Sequence, residues 1–207
     1  MLTTLRRQTG TGLLLLVVFT VLCGVVYPLV VWGVSRIPGL SDSAEGAVIT
    51  QQGRAVGSSF IGVDPVPADP AADPYFHTRP AASAEDVLGP ADTSTSGGSN
   101  KAGDSQDLLD AVSRRRAVIA AREGVAPAAV PTDAVTASAS GLDPDISPDY
   151  AALQQARVAR VSGLPVDRVR ALVAQATDGR ILGFLGEPTV NVTELNLAVA
   201  NARESGG

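Results

Sequence analysis

From Leu13 to Val34 the chain reads LLLLVVFTVLCGVVYPLVVWGV, with no charged side chain and no helical or strand periodicity in its few polar positions. Roughly twenty apolar residues rising 1.5 Å each suffice to cross a hydrocarbon core of ~30 Å as a helix. The run is too long for the apolar core of a cleavable leader. The residues after it, Ser35-Arg36-Ile37-Pro38, lack a small-residue cleavage pattern. A membrane span over residues 12–35 is therefore predicted. Pro28 and Gly24 mark a place where it kinks, and Trp32 lies toward the far end, where an amphipathic ring sits among headgroups.

Beyond the span the pattern changes to short segments punctuated by Gly and Pro. Val48, Ile49, Val56, Phe60 and Ile61 among glycines predict a short strand or two between 41 and 61. The stretch 64–84 carries Pro65, Pro67, Pro70, Pro74 and Pro80, which cannot donate to a central ladder, so it is expected to run extended over the surface. Leu108, Leu109, Val112, Val118 and Ile119 recur at helical spacing over 104–123, with acids first, arginines later and Gly124 as the stop. Val135 to Ser140 alternates like a strand packed close to another backbone.

Ser147-Pro148 is an N-cap followed by a first-turn proline, predicting a helix over 148–162 that Gly163 closes. In that helix Gln154, Gln155, Arg157 and Arg160 form a polar side, partly opposed by Leu153, Val158 and Val161. A further helix opens at Pro165 and runs to Gly179. Val190-Asn191-Val192 reads as a strand, and Leu195, Leu197 and Val199 belong to a closing helix. The expected fold class is α+β: one N-terminal transmembrane helix, then a single α+β domain over 36–207.

Charge sets the orientation. Residues 1–11 carry Arg6 and Arg7 and no acid, whereas Arg36 and Arg54 beyond the span are diluted by Asp42, Glu45, Asp64 and Asp69. The positive-inside rule keeps residues 1–11 in the cytoplasm and puts 36–207 outside the cell membrane. The net charge of −5 leaves no basic excess for nucleic-acid phosphates. The single cysteine, Cys23, lies within the span, so packing alone must hold the outer domain.

Candidate chemistry is sparse. The one histidine, His77, sits between prolines in Asp73-Pro-Tyr-Phe-His-Thr-Arg-Pro80 and reads as a structural loop residue. An extracellular enzyme would need His77 together with a serine such as Ser99 or Ser138. A separate reading is a free-standing binding module. Lys101 follows glycines, but without the Gly-x-x-x-x-Gly-Lys order of a phosphate loop. Asp143, Asp145 and Asp149 lack the glycine and distal glutamate of a calcium loop. No catalytic set and no metal-ligand cluster is predicted.

Five stretches carry a resemblance: Phe76 to Pro80, Ser96-Gly-Gly-Ser-Asn100, Val135-Thr-Ala-Ser-Ala-Ser-Gly-Leu-Asp-Pro-Asp-Ile-Ser-Pro148, Leu182 to Val192, and Glu194 to Leu197. Together with the leading span, they resemble KdpC, the C subunit of the bacterial potassium-transporting Kdp ATPase. The resemblance implies an accessory subunit with no catalysis of its own, in a complex that imports K⁺ at the expense of ATP. Its implied partners are a channel-like A subunit, a P-type B subunit and membrane lipid. It also implies a chaperone role that raises ATP affinity, with Gln154 and Arg157 as the positions matching a nucleotide contact. A domain outside the membrane cannot meet cytoplasmic ATP, so Gln154 is expected to be structural or interface-forming. Gly24, Pro28 and Gly33 in the span, and Ser138, Ser140, Gly141 and Asp143 in the outer domain, are the candidate partner-contact positions.

Overall fold

The structure, a computed structural model, describes residues 2–205 and divides into two compact units meeting at Val48 and Ile49. The first is dominated by one long helix, Leu2–Ser35. It is α-helical over α1 (Leu2–Val21) and α2 (Tyr27–Ser35), with a π-helical turn, Leu22–Val26, between them. Pro28 explains the turn. A proline has no N–H, and its ring clashes with the carbonyl one turn earlier, so the backbone widens to a five-residue step. Tyr27 N–H accordingly donates to the Leu22 carbonyl. The kink expected at Pro28 is thus accommodated as a π turn. The helix also begins earlier than residue 12: the stretch from Leu2 contains no proline, and Thr11 bonds the Arg7 carbonyl, so the polar lead-in continues the same helix. No residue from Leu2 to Val34 is buried.

After a short turn, α3 (Ser41–Ala44), the second unit opens with a hairpin of β1 (Val48–Gln51) and β2 (Arg54–Ser58). Its tip is Gln52-Gly53, both at positive φ (49° and 77°), the geometry that matches the twist of two paired strands. Residues 62–105 contain no strand, as the prolines require. α4 (Gln106–Glu123) ends on Gly124 at φ 69°, whose N–H reaches the Ala120 carbonyl. α6 (Pro148–Ser162) starts as expected, with Ser147 Oγ accepting from Tyr150 N–H, and stops at Gly163, φ 70°.

Two expectations are corrected. Val135 to Ser140 is not a strand: α5 (Thr132–Val135) takes its start, and 136–144 is a loop. The side chains here bond their own backbone. Gly141 N–H donates to Ser138 Oγ, Leu142 N–H to Ser140 Oγ, and Asp145 N–H to Asp143 Oδ1. Such local bonds compete with a ladder. The close backbone approach does hold, because a Cβ at Gly98 would lie 2.9 Å from the Ala139 carbonyl oxygen. Second, the helix opening near Pro165 is α7 (Val166–Gln175) and stops short of Gly179. Residues 177 and 178 instead form β4 (Thr177–Asp178), the middle strand β5 (Thr189–Asn191) pairing with it on one side and with β3 (Asp145–Ile146) on the other, all antiparallel. The chain closes with α8 (Val192–Ser205). Helices α4, α6, α7 and α8 pack with this sheet around Phe76, Ile119, Tyr150, Val158, Val190 and Leu195, all fully buried.

Candidate functional site: a buried ion network under the proline segment

α6 places Tyr150, Ala151, Gln154, Arg157 and Val158 on one inward face, at the i, i+3, i+4 spacing of a helix stripe. Two of these are polar, and Gln154 is fully buried while Arg157 is 5 % exposed. The predicted polar side of α6 therefore splits. Arg160 stays outside and Gln155 is half-buried, whereas Gln154 and Arg157 turn in.

Burying a guanidinium is tolerable only where its donors are met. Arg157 Nε donates to both oxygens of Glu123, at 3.1 and 3.0 Å. One terminal nitrogen donates to the carbonyls of Asp73 (2.8 Å) and Tyr75 (2.9 Å) and lies 3.0 Å from the Asp73 carboxylate. The other donates to Gln154 Oε1 at 3.1 Å. Gln154 in turn clasps the His77 backbone, accepting from its N–H at 2.9 Å and donating to its carbonyl at 3.3 Å. Asn196 on α8 holds Phe76 in the same way, by N–H and carbonyl, at 2.8 Å each. An extended stretch with no sheet partner is thus satisfied by side-chain amides and a guanidinium.

His77 lies between two carboxylates. Nδ1 is 2.9 Å from Asp64 and Nε2 is 2.6 Å from Asp73. A neutral imidazole has one N–H and one lone pair, so two carboxylate neighbours favour the doubly protonated ring. The charge count agrees: Asp64, Asp73 and Glu123 oppose Arg122 and Arg157, and only an imidazolium closes the balance. Burial pushes the His77 pKa down, but the hydrogen bonds to Asp64 and Asp73 outweigh it, and the net direction is upward. For Asp73, burial pulls upward and is overcome by the bond to His77, by its charge and by Tyr75 N–H, leaving the carboxyl below its ordinary range. Arg122 extends the network to Glu123 (2.7 Å) and the Tyr150 hydroxyl (3.0 Å). Burial pushes the Tyr150 hydroxyl up to about 12, so it stays a neutral donor and acceptor.

This geometry does not fit His77 as the base for a serine. A base serving Ser99 or Ser138 needs a free ring nitrogen, and both nitrogens of His77 are committed. Ser138 is itself buried, its Oγ taken by Gly141 N–H and Ser140. Among the candidate contact positions, Ser138 and Gly141 lie in the interior of the domain. Both are packed inside, with Gly141 at φ 74° and a Cβ there only 3.2 Å from the Gly97 carbonyl oxygen. Ser140 and Asp143 are half-buried, and Asp143 pairs with Arg79 at 3.0 Å. Gln154 and Arg157 offer no exposed group to a nucleotide. Gly24 and Gly33 stand in the open, with nothing near an added Cβ, as span positions available to a neighbouring helix.

The residues that sequence reasoning missed are Asp64, Asp73, Arg122, Glu123 and Tyr150. The only signal for them was the inward stripe on α6, visible once Gln154 and Arg157 are read with Tyr150 and Val158 rather than with Arg160.

A groove of 420 Å³ lies above the network, walled by Pro65, Val66, Leu88 and Val118 with Asp64 and His77 among its lining. Asp64, Asp73, His77 and Arg122 in its lining are already paired within the chain, so the network reads as a clamp.

An apolar helix long enough to span a bilayer, joined to a domain whose ionised interior ties its own segments together, defines a membrane-anchored protein. The chain belongs to the KdpC family, described as K⁺-transporting ATPase, c chain, whose model matches residues 9–201. It is similar to the potassium-transporting ATPase KdpC subunit of Kineococcus radiotolerans, 50 % identical over 201 residues and covering 97 % of each chain. The KdpC subunit of Koribacter versatilis is 42 % identical over 93 % of this chain and 94 % of its own. That of Mycobacterium bovis is 41 % identical over 94 % and 98 %.

Proposed function

We propose that this chain is an accessory subunit of an ATP-driven K⁺ importer. It is held by one span, with residues 1–11 in the cytoplasm and the domain over 36–207 outside the cell membrane. The observation that carries this reading is the family match from residue 9 to 201, which takes in span and domain together. The relatives' names supply the complex, a potassium-transporting ATPase. The partners are its channel-like A subunit and P-type B subunit, met within the membrane through the span that carries Gly24, Pro28 and Gly33, where small residues allow close helix approach.

The outer domain acts as a rigid brace. Gln154 and Arg157 serve it from inside by holding residues 73–77 against α6, so any effect on ATP affinity passes through the span rather than through a nucleotide bound by this domain. The test is the K⁺-stimulated ATPase activity of the purified complex with and without this chain, which should fall without it. A cysteine at Ser205 should react with an impermeant maleimide added to intact cells. Equal activity in both preparations would refute the accessory role, and a Ser205→Cys chain labelled only after lysis would reverse the topology.

A further inference from the structure

Between β4 and β5 the chain makes an excursion, 179–188, that contributes nothing to the core. Ile181 and Leu185 pair through two backbone hydrogen bonds of 2.9 Å, and the turn between them carries Leu182 at φ 55° and Gly183 at φ 81°. Four large apolar side chains stand in water here: Ile181, Leu182, Phe184 and Leu185 are 70, 80, 68 and 48 % exposed. Among the described residues after 100, only Leu109, Val118 and Val166 are otherwise exposed large apolar residues, so this is a concentration and not a scatter. Leucine at positive φ is strained, and Leu182 bears that strain while 80 % exposed.

The base of the hairpin is acidic. Asp178 precedes it and Glu187 follows it, the latter paired to Arg180 at 2.6 Å. Asp178, Asp143 and Glu194 are also near enough to Asp145 to hold its carboxyl above the ordinary range, after burial itself. Arg79 pairs with Asp143 and Arg180 with Glu187, so among the described residues Asp145, Asp178 and Glu194 are the members of this acidic group outside an ion pair.

We propose that residues 181–185 are a preformed apolar finger that seats in an apolar socket with a basic rim on a partner subunit of the transport complex. The inference rests on the accessory-subunit reading above and names the surface it uses. Two features favour a protein socket over lipid. A fluid acyl layer has no use for a shape fixed by two positive-φ residues, whereas a shaped pocket does. An acidic collar is repelled by anionic headgroups but complements a Lys or Arg rim.

The test uses the full chain with Cys23→Ser and a single new cysteine at Phe184→Cys or at Glu187→Cys, which leaves the apolar tip intact. Each is compared alone in lipid nanodiscs and co-purified with the partner subunits. Both positions should react with a water-soluble maleimide at least about tenfold more slowly in the complex, while Ser205→Cys reacts alike in both. Asp178→Lys should weaken recovery of the complex at low salt more than at high salt. Slow labelling already in the chain alone would mean that lipid covers the finger, which overturns the proposal. Equal labelling in chain and complex would overturn the finger alone, provided the chain still co-purifies. A folded chain that never co-purifies overturns the accessory-subunit reading as well.

Discussion

Along the Leu2–Ser35 helix the aliphatic and aromatic side chains are exposed and none from Leu2 to Val34 is buried, whereas in the second unit Arg157, Glu123 and Asp73 turn inward. The two regions obey one rule in opposite solvents. Lipid asks a helix to satisfy its backbone internally and show grease, and the π turn before Pro28 is the sole departure from α geometry in that helix. Water asks a domain to hide grease, and tolerates buried charge only when each donor and acceptor is met. The comparison teaches that polarity at a position says little about its placement until its partners are counted.

The sharpest break would be Arg157→Ala. It leaves Glu123, whose side chain is fully buried, with Arg122 as its one remaining cation, and leaves the carbonyls of Asp73 and Tyr75 without the guanidinium. Removing one partner of a buried ion pair costs about 3–5 kcal/mol. Urea unfolding of the full chain in detergent, followed by near-UV circular dichroism, should show that loss. The matching change in the span is Val25→Arg. A cation near the middle of a helix in lipid costs about 2.5–3.5 kcal/mol, so the fraction of chain resisting alkaline extraction from membranes should drop. Charge is thus costly at both places for opposite reasons. Next in size is Gly62→Ala. An added Cβ would lie 2.4 Å from the Asp143 carbonyl oxygen, and Gly62 N–H already bonds the Leu142 carbonyl at 2.8 Å. Overpacking of this kind costs about 1–3 kcal/mol, seen as a lower urea midpoint at unchanged slope.

The fourth prediction concerns pH. His77 titrates above its ordinary 6.5 in the folded state, so its contribution is complete below 6.5 and is lost as pH rises through the raised value. Asp73, held below its ordinary 3.8, gives a contribution present above 3.8 and lost as pH falls through the lowered value. The groups facing His77 are Asp64, Asp73, Arg122 and, through Asp73, Arg157. Over the alkaline window stability should fall by at most about 1.4 kcal/mol per pH unit, the limit for one proton. Urea midpoints between pH 6 and 9 give the slope, and in His77→Gln it should vanish with the midpoint low throughout.

What could be read from the chain follows from range. Caps and stops are local, so Ser147-Pro148, Gly163 and Gly124 were legible from a few adjacent residues. The resemblance-bearing run 135–148 was legible as close-packed but not as a loop. Its serines and aspartate cap their own backbone, a choice that β propensity does not register. β4 was hidden because two residues form a strand only when a partner such as β5 arrives. The ion network was the least visible, joining groups 34 residues apart for Arg157 and Glu123 and 84 apart for Arg157 and the Asp73 carbonyl. The span gave a nearly complete reading, because its solvent imposes one requirement on every position.

The smallest expected effect sharpens the comparison most, because it separates stability from assembly. Leu182 holds φ 55° with 80 % of its surface in water, so Leu182→Gly removes backbone strain and gives up almost no buried area in the isolated chain. Non-glycine residues in the left-handed region cost about 1–2 kcal/mol, and the flexibility that glycine adds to the unfolded chain returns part of that, so the net gain should be about 0.5 kcal/mol. If the finger is merely a tolerated loop, complexes containing the variant should form as before. If its shape is held for a partner's socket, the same substitution should raise the urea midpoint of the chain alone while lowering its recovery with the partner subunits.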